Sequence, residues 1–206
     1  MSTSELITVF VSLLVIIDPV ALAPLFIALT KGQSARRRRI VGLRACVVAF
    51  GLLTVFGLAG DELLAFLGIS MPAFRIAGGL LLFLTALDML FERRTQRRQG
   101  QADEADEHDD PSVFPLAIPL LAGPGAIATM ILLAGADGIA ATDVLAIHLV
   151  MFVVLVLVFI SFLLAPTMER LLGPVGINVV TRILGMLLAA LSVQFVIDGI
   201  LQMQVI

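Results

Sequence analysis

Six long apolar stretches separated by polar connections leave this chain few ways to fold. They cover residues 6–30, 40–59, 72–91, 114–134, 144–165 and 177–201. Each comes close to the about 20 residues a helix needs to cross a hydrocarbon core about 30 Å thick. Composition agrees: 60% of the 206 residues are hydrophobic and 14% charged, with mean hydropathy +1.10. Soluble domains keep about 45–50% apolar and about 25% charged residues. A soluble enzyme, a nucleic-acid-binding protein, a coiled coil and a disordered chain are excluded at this step, and nucleic acid drops out as a partner. The stretches stay apolar for many successive residues instead of alternating at period two, which disfavours a β-barrel. The expected fold is all-α: a polytopic membrane protein of six transmembrane helices with the lipid bilayer as its first partner. Cys46 is the only cysteine, so neither an intrachain disulfide nor a zinc site of paired cysteines is available.

Ala21-Leu22-Ala23 has the small-x-small form of a signal-peptidase site. The segment before it carries Glu5 and no Lys or Arg, and Pro24 follows, so the first stretch reads as a retained span. Sidedness follows from the basic residues. Lys31, Arg36–Arg39 and Arg44 join spans one and two; Arg93, Arg94, Arg97 and Arg98 join spans three and four; Arg170 and Arg182 flank the connection of spans five and six. Only Arg75 is left for the opposite side, where Glu5, Asp61, Glu62, Asp137 and Asp143 fall. The basic side is expected in the cytoplasm and both termini outside.

The two halves repeat. At an offset of 107 residues, Arg75-Ile76-Ala77-Gly78 falls on Arg182-Ile183-Leu184-Gly185; at an offset of 105, Pro19 falls on Pro124. Each half then holds an interrupted span, a plain span and a span opening with Arg-Ile-x-Gly. Three is odd, so the second half enters the membrane from the opposite side, an inverted 3+3 repeat. The organisation expected is a first repeat at 1–91, a charged cytoplasmic loop at 92–113 and a second repeat at 114–206. In that loop, Asp103, Glu104, Asp106, Glu107, His108, Asp109 and Asp110 read first as a solvated charge run and second as a cation site, for which a single histidine among carboxylates is a weak signal. The run Arg36–Arg39 reads first as a topology signal and second as a contact for anionic lipid.

In inverted repeats, paired Gly/Pro-interrupted spans point to a binding site at the midplane. The first interruption is Ile17-Asp18-Pro19-Val20-Ala21-Leu22-Ala23-Pro24. Its prolines remove backbone donors and free carbonyls where lipid cannot replace them. Asp18 is a mid-span carboxylate, costly by about 2.5–3.5 kcal/mol on insertion scales and functional by default; capping the second half-helix is the structural alternative. The second interruption, Pro119-Leu120-Leu121-Ala122-Gly123-Pro124-Gly125-Ala126, has glycines that let a ligand approach the backbone. The expected substrate-binding set is Asp18, Pro19, Val20, Ala21 and Pro24 with Gly123, Pro124, Gly125 and Ala126. No catalytic residue, metal ligand or cofactor is expected. Half-helix ends suit a carboxylate and Asp18 suits an ammonium, which together describe a small zwitterion. Asp88, Asp198, Arg75 and Arg182 read as interfacial, Gly185 with Ala189 as packing, and His148 as structural.

With Asp18-Pro19, Pro24-Leu25-Phe26, Arg75-Ile76-Ala77-Gly78-Gly79 and 119–126 in place, the sequence resembles the MarC family of bacterial inner-membrane proteins, which is grouped with small neutral amino-acid transporters. The resemblance covers nearly the whole chain and implies six spans, a plasma-membrane location and kinship with the lysine-exporter superfamily. Relatives often carry Gly and Asn soon after Asp-Pro. Here Ala21 and Leu22 stand there, which makes the site less polar. The function expected is a secondary transporter that exports small neutral amino acids by alternating access. The alternatives are a channel or passive pore and an efflux protein for another small molecule. No His-Glu-x-x-His, Gly-x-Gly-Asp or nucleotide-binding loop occurs, so neither an enzyme nor ATP drive within the chain is expected. Assembly into a homo-oligomer is compatible with such a chain.

Overall fold

The computed structural model describes residues 1–93, 110–135 and 139–203. Residues 94–109, most of the charged connection expected at 92–113, lie outside the described residues, as does Asp137. The described residues form helices and connections, with no strand among them.

Local sequence sets the helix ends. Ser2 and Glu5 form a capping box that opens α1 (Thr3–Ile17). Proline at 19 disfavours the α conformation at Asp18, which stops α1 there and turns to φ 58°, ψ 70°. The next residue starts α2 (Pro19–Leu29), with Pro19 at the position where a missing N–H costs nothing. Ser34 caps α3 (Ala35–Phe66) and Ser70 caps α4 (Met71–Leu90), each by accepting a hydrogen bond from the backbone N–H three residues on.

The segment α5 (Ser112–Leu121) is a wide π-type turn. Phe114 and Ile118, each followed by proline, adopt extended conformations inside it. It meets α6 (Pro124–Ala134) at a bend of 57°. Last comes α7 (Ala141–Met203), 63 residues long. Straight, it would reach about 95 Å, roughly three times the hydrocarbon thickness. It is interrupted at Gly173, whose φ of 60° and ψ of 178° are open to glycine alone. The connection expected near 166–176 is therefore helical up to this single residue.

Contacts fix the direction of each arm of α7. The Met1 ammonium lies 2.5 Å from Asp143 at its start, and Phe26 of α2 stacks on Phe162 further along, with centroids 4.3 Å apart. The first arm thus runs beside α1 and α2 in their direction. In the second arm, Arg182 pairs with Glu92 at 2.6 Å and Gly199 packs on Pro72 and Ile76, so this arm runs antiparallel to α4. The chain reverses at Gly173.

Four helices are long and apolar enough to cross a membrane with α1 and α2 taken as one, and the bent pair α5–α6 adds a fifth. Span one is central: 61% of its most apolar window is buried, against 39, 28 and 39% in the other three helices. Leu13, Ile17, Leu22 and Phe26 on this span meet Leu53, Leu82, Leu121, Met130 and Phe162 in the core. Apolar side chains such as Val47, Leu84 and Leu149 face outward, as a lipid-facing surface requires.

Candidate functional site

Asp18 joins α1 to α2 and is fully buried. Its αL backbone is one that Asp and Asn tolerate better than most residues. Its N–H still donates to the Leu14 carbonyl at 3.0 Å, closing α1. Its Oδ1 accepts from the Ala21 N–H at 3.2 Å, capping α2. Its Oδ2 has no hydrogen-bond partner. Both sequence readings thus meet in one side chain: one oxygen caps, and the other is left over.

Gly123 is the counterpart of Asp18 in the second half. It precedes Pro124 as Asp18 precedes Pro19, and it is the N-cap of α6 with an extended backbone, φ −81° and ψ 171°. No side chain caps this helix. A Cβ at Gly123 would stand 2.5 Å from the Pro119 carbonyl oxygen, so the preceding turn folds back over the space a side chain would need.

The two breaks are neighbours. A Cβ on Gly125 would lie 2.9 Å from Cδ1 of Ile16, two residues before Asp18, and 3.5 Å from Leu82 of α4. At this point glycine lets α6 close on span one through apolar contact. Unwinding is also narrower than the interruptions read at 17–24 and 119–126. In span one it is confined to Asp18, and in the second break to Ala122 and Gly123, beyond which Gly125 and Ala126 are helical. Pro24 sits inside α2, where its ring nitrogen has no proton to donate to the carbonyl of Val20.

Of the expected set, Asp18, Pro19, Ala21 and Ala126 are buried; Val20, Pro24, Gly123 and Gly125 are half-buried; and Pro124 is exposed. Asp18 and Ala21 meet through the cap, and the start of α6 meets span one at Ile16, two residues before Asp18, while Pro24 lies further along α2. Ile16 and Leu82 belong to this contact and carry no sequence signal, being apolar among apolar residues. Thr129 does carry one: its hydroxyl donates to the Gly125 carbonyl at 2.8 Å, holding the first turn of α6. His148, buried on α7, has Nδ1 2.7 Å from the Val144 carbonyl, and Nε2 fills the notch beside Gly57.

The model of the MarC family of integral membrane proteins matches residues 3–204. The chain belongs to this family. Among relatives, the MarC chain is 41% identical to a UPF0056 membrane protein of Aquifex aeolicus, over 93% of its own length and 90% of the relative's. It is 35% identical to UPF0056 membrane protein MJ1677 of Methanocaldococcus jannaschii, covering 97% and 98%. It is 33% identical to the UPF0056 inner membrane protein YhgN of Escherichia coli, covering 96% of both chains. No solved structure matches. The MarC chain is thus an integral membrane protein with inner-membrane relatives, and its breaks lie well inside the matched region.

Proposed function

We propose that this MarC protein is a secondary transporter, an exporter of small neutral amino acids working by alternating access, with its site between the breaks at Asp18 and Gly123. Asp18 carries the proposal. Capping α2 takes one carboxylate oxygen, and Asn or Ser caps about as well without a charge. A charged group in hydrocarbon is costly, and an orphaned buried acceptor adds a desolvation penalty of about 1–3 kcal/mol. The spare Oδ2 supplies what a substrate ammonium, or a coupled proton, needs.

The second break supplies the opposite charge. Asp18 already offsets the N-terminal dipole of α2, whereas α6 has no side-chain cap. Its first N–H groups behave like roughly half a positive charge and suit a carboxylate. An amino acid lying with its ammonium toward Asp18 and its carboxylate toward α6 satisfies both ends. Full burial of Asp18 supports a carrier over a pore, because a pore needs a continuous water path.

Counting the two arms of α7 separately, the chain crosses six times, and its contacts support an inverted repeat. Phe26 and Ile131, equivalent at offset 105, each pack on the plain span of the other half, at Phe162 and Gly60. Gly79 packs on Ser192 and Val196, and Gly185 packs reciprocally on Ala86 and Met89, the contact expected at offset 107 to within a residue. The basic connections share a face through Arg44–Asp110 and Arg182–Glu92. By the positive-inside rule that face is cytoplasmic and both termini are outside. The proposal makes the chain a carrier and not an enzyme, with a small solute and the bilayer as partners and room for a homo-oligomer. Counterflow in proteoliposomes with a panel of labelled amino acids tests it: exchange of labelled alanine, serine or threonine is expected, and no exchange of any amino acid would overturn it.

A further inference from the structure

The first turn of α3 is electrostatically inverted. It holds Arg36, Arg37, Arg38 and Arg39 and no acidic residue, although a helix N-terminus favours anions over cations by about 0.3–1 kcal/mol each. Two nearby cations are used within the fold: Arg38 donates to Thr30 Oγ1 at 3.1 Å and lies over the Phe26 ring, and Arg44 donates to Asp110 at 2.5 Å. Arg36 and Arg39 are exposed and make no hydrogen bond or ion pair among the described residues.

Below them lies an apolar crevice of about 210 Å³ between α3 and the first arm of α7, where Leu43, Val47 and Phe50 face Phe152, Val156 and Phe159. It is smaller than the ~300–1,000 Å³ that encloses a drug-sized molecule, and suits one extended chain. Helical spacing puts Arg36 in line with Leu43, Val47 and Phe50, at intervals of 7, 11 and 14 residues, and Arg39 on the adjoining line with Leu43, Cys46 and Phe50. The crevice therefore begins about 10 Å below Arg36 and ends about 21 Å below it, a span that starts near the headgroups and reaches the middle of the bilayer. Above it Arg36 also borders a basin of about 310 Å³ shared with Ser34, Arg37, Ile40, Arg44 and Asp110. The Asp110 carboxylate, held by Arg44, repels an anion from that end of the basin and leaves the end at Arg36.

We infer that Arg36, Arg39 and the Leu43–Phe159 crevice form a binding site for one anionic phospholipid, its phosphate on the two arginines and one acyl chain between α3 and α7. Basic residues at the end of a membrane helix recognise anionic headgroups. The crevice adds a chain-binding element that a bare charge cluster lacks. The site lies on the outer face of the bundle and does not depend on the transport reading.

The full chain is reconstituted in phosphatidylcholine vesicles containing one-fifth phosphatidylglycerol, extracted in mild detergent, and its retained lipid quantified by native mass spectrometry. Retained phosphatidylglycerol at least threefold enriched over the bulk is expected. R36Q/R39Q is expected to bring the ratio back to bulk, V47W to lower total retained lipid by half or more by filling the crevice, and R93Q, a basic residue just past the end of α4 that lines neither the crevice nor the basin, to change neither. Thermal unfolding of each variant in detergent checks that it is folded. Unenriched lipid on the wild type, equal loss of enrichment with R93Q, unchanged retention with folded V47W, or displacement of the lipid by millimolar inorganic phosphate would each overturn the site.

Discussion

Substituting Asp18 separates its two roles, because the structure assigns a different atom to each. Asparagine keeps Oδ1 on the Ala21 N–H, tolerates the φ of 58°, and replaces the unpartnered Oδ2 with an amide nitrogen. Its capping strength equals that of aspartate, and it removes a charge from the membrane interior, so D18N is expected to be at least as stable as the wild type. Glycine accepts the backbone angle and loses only a few tenths of a kcal/mol as a cap. Alanine loses about 1 kcal/mol of cap relative to aspartate and, unlike glycine, keeps a Cβ in the left-handed region without the local hydrogen bond that lets Asp and Asn settle there. Thermal unfolding in detergent should therefore rank aspartate and asparagine above glycine, and glycine above alanine. Counterflow should follow a different order, with all three variants inactive because all lack the carboxylate. D18N exchanging labelled substrate at the wild-type rate would refute the carboxylate mechanism. D18A as stable as D18N would refute the local geometry.

Two further outcomes follow from the packing and the charge pattern. In a Cys46→Ala background, Lys31→Cys should label only from the cytoplasmic side and Ile69→Cys only from outside, with the reverse pattern contradicting the assigned orientation; both positions are exposed in connections between helices. Gly125→Ala should be mild, since its methyl meets the movable tip of Ile16, whereas Gly125→Leu should push α6 off span one and cost transport and thermal stability together.

The parts of this fold that were legible in the sequence are those where one residue's covalent structure dictates the backbone. The stop at Asp18 is such a case, because a residue before proline is driven out of the helix, and the same rule places the extended residues Phe114 and Ile118 before Pro115 and Pro119. Gly173-Pro174 carried an equally local signal, yet the helix runs up to it where a longer connection was expected. Gly185 read correctly as packing, with Met89 Cβ only 3.0 Å from where its own Cβ would be. What could not be read is which apolar residues face the core. Ile16 closes the site and Ile7 is exposed, and nothing in their chemistry distinguishes them, since lipid tails are as apolar as a protein interior. The same degeneracy hid the apolar contact of Ile16 with Gly125 between the breaks.

The asymmetry between the breaks has a steric origin that makes a counter-intuitive prediction. Propensity alone says that serine at Gly123 should improve the uncapped start of α6, since serine is among the best N-caps and the φ of −81° suits any residue. Space says otherwise. Any Cβ there falls 2.5 Å from the Pro119 carbonyl oxygen, a backbone atom held between the Pro119 ring and the start of α6 at Pro124. Relief requires moving the turn itself, and overpacking of that kind costs about 1–3 kcal/mol, more than the roughly 1 kcal/mol a new cap contributes. G123S should therefore unfold at a lower temperature than the wild type, and G123A lower still, because it takes the clash without the cap. If G123S were the more stable protein, the turn at Pro119 would be loose. The second half could then have carried its own side-chain cap, and the bare helix end that gives the site its anion-seeking pole would lose its structural explanation.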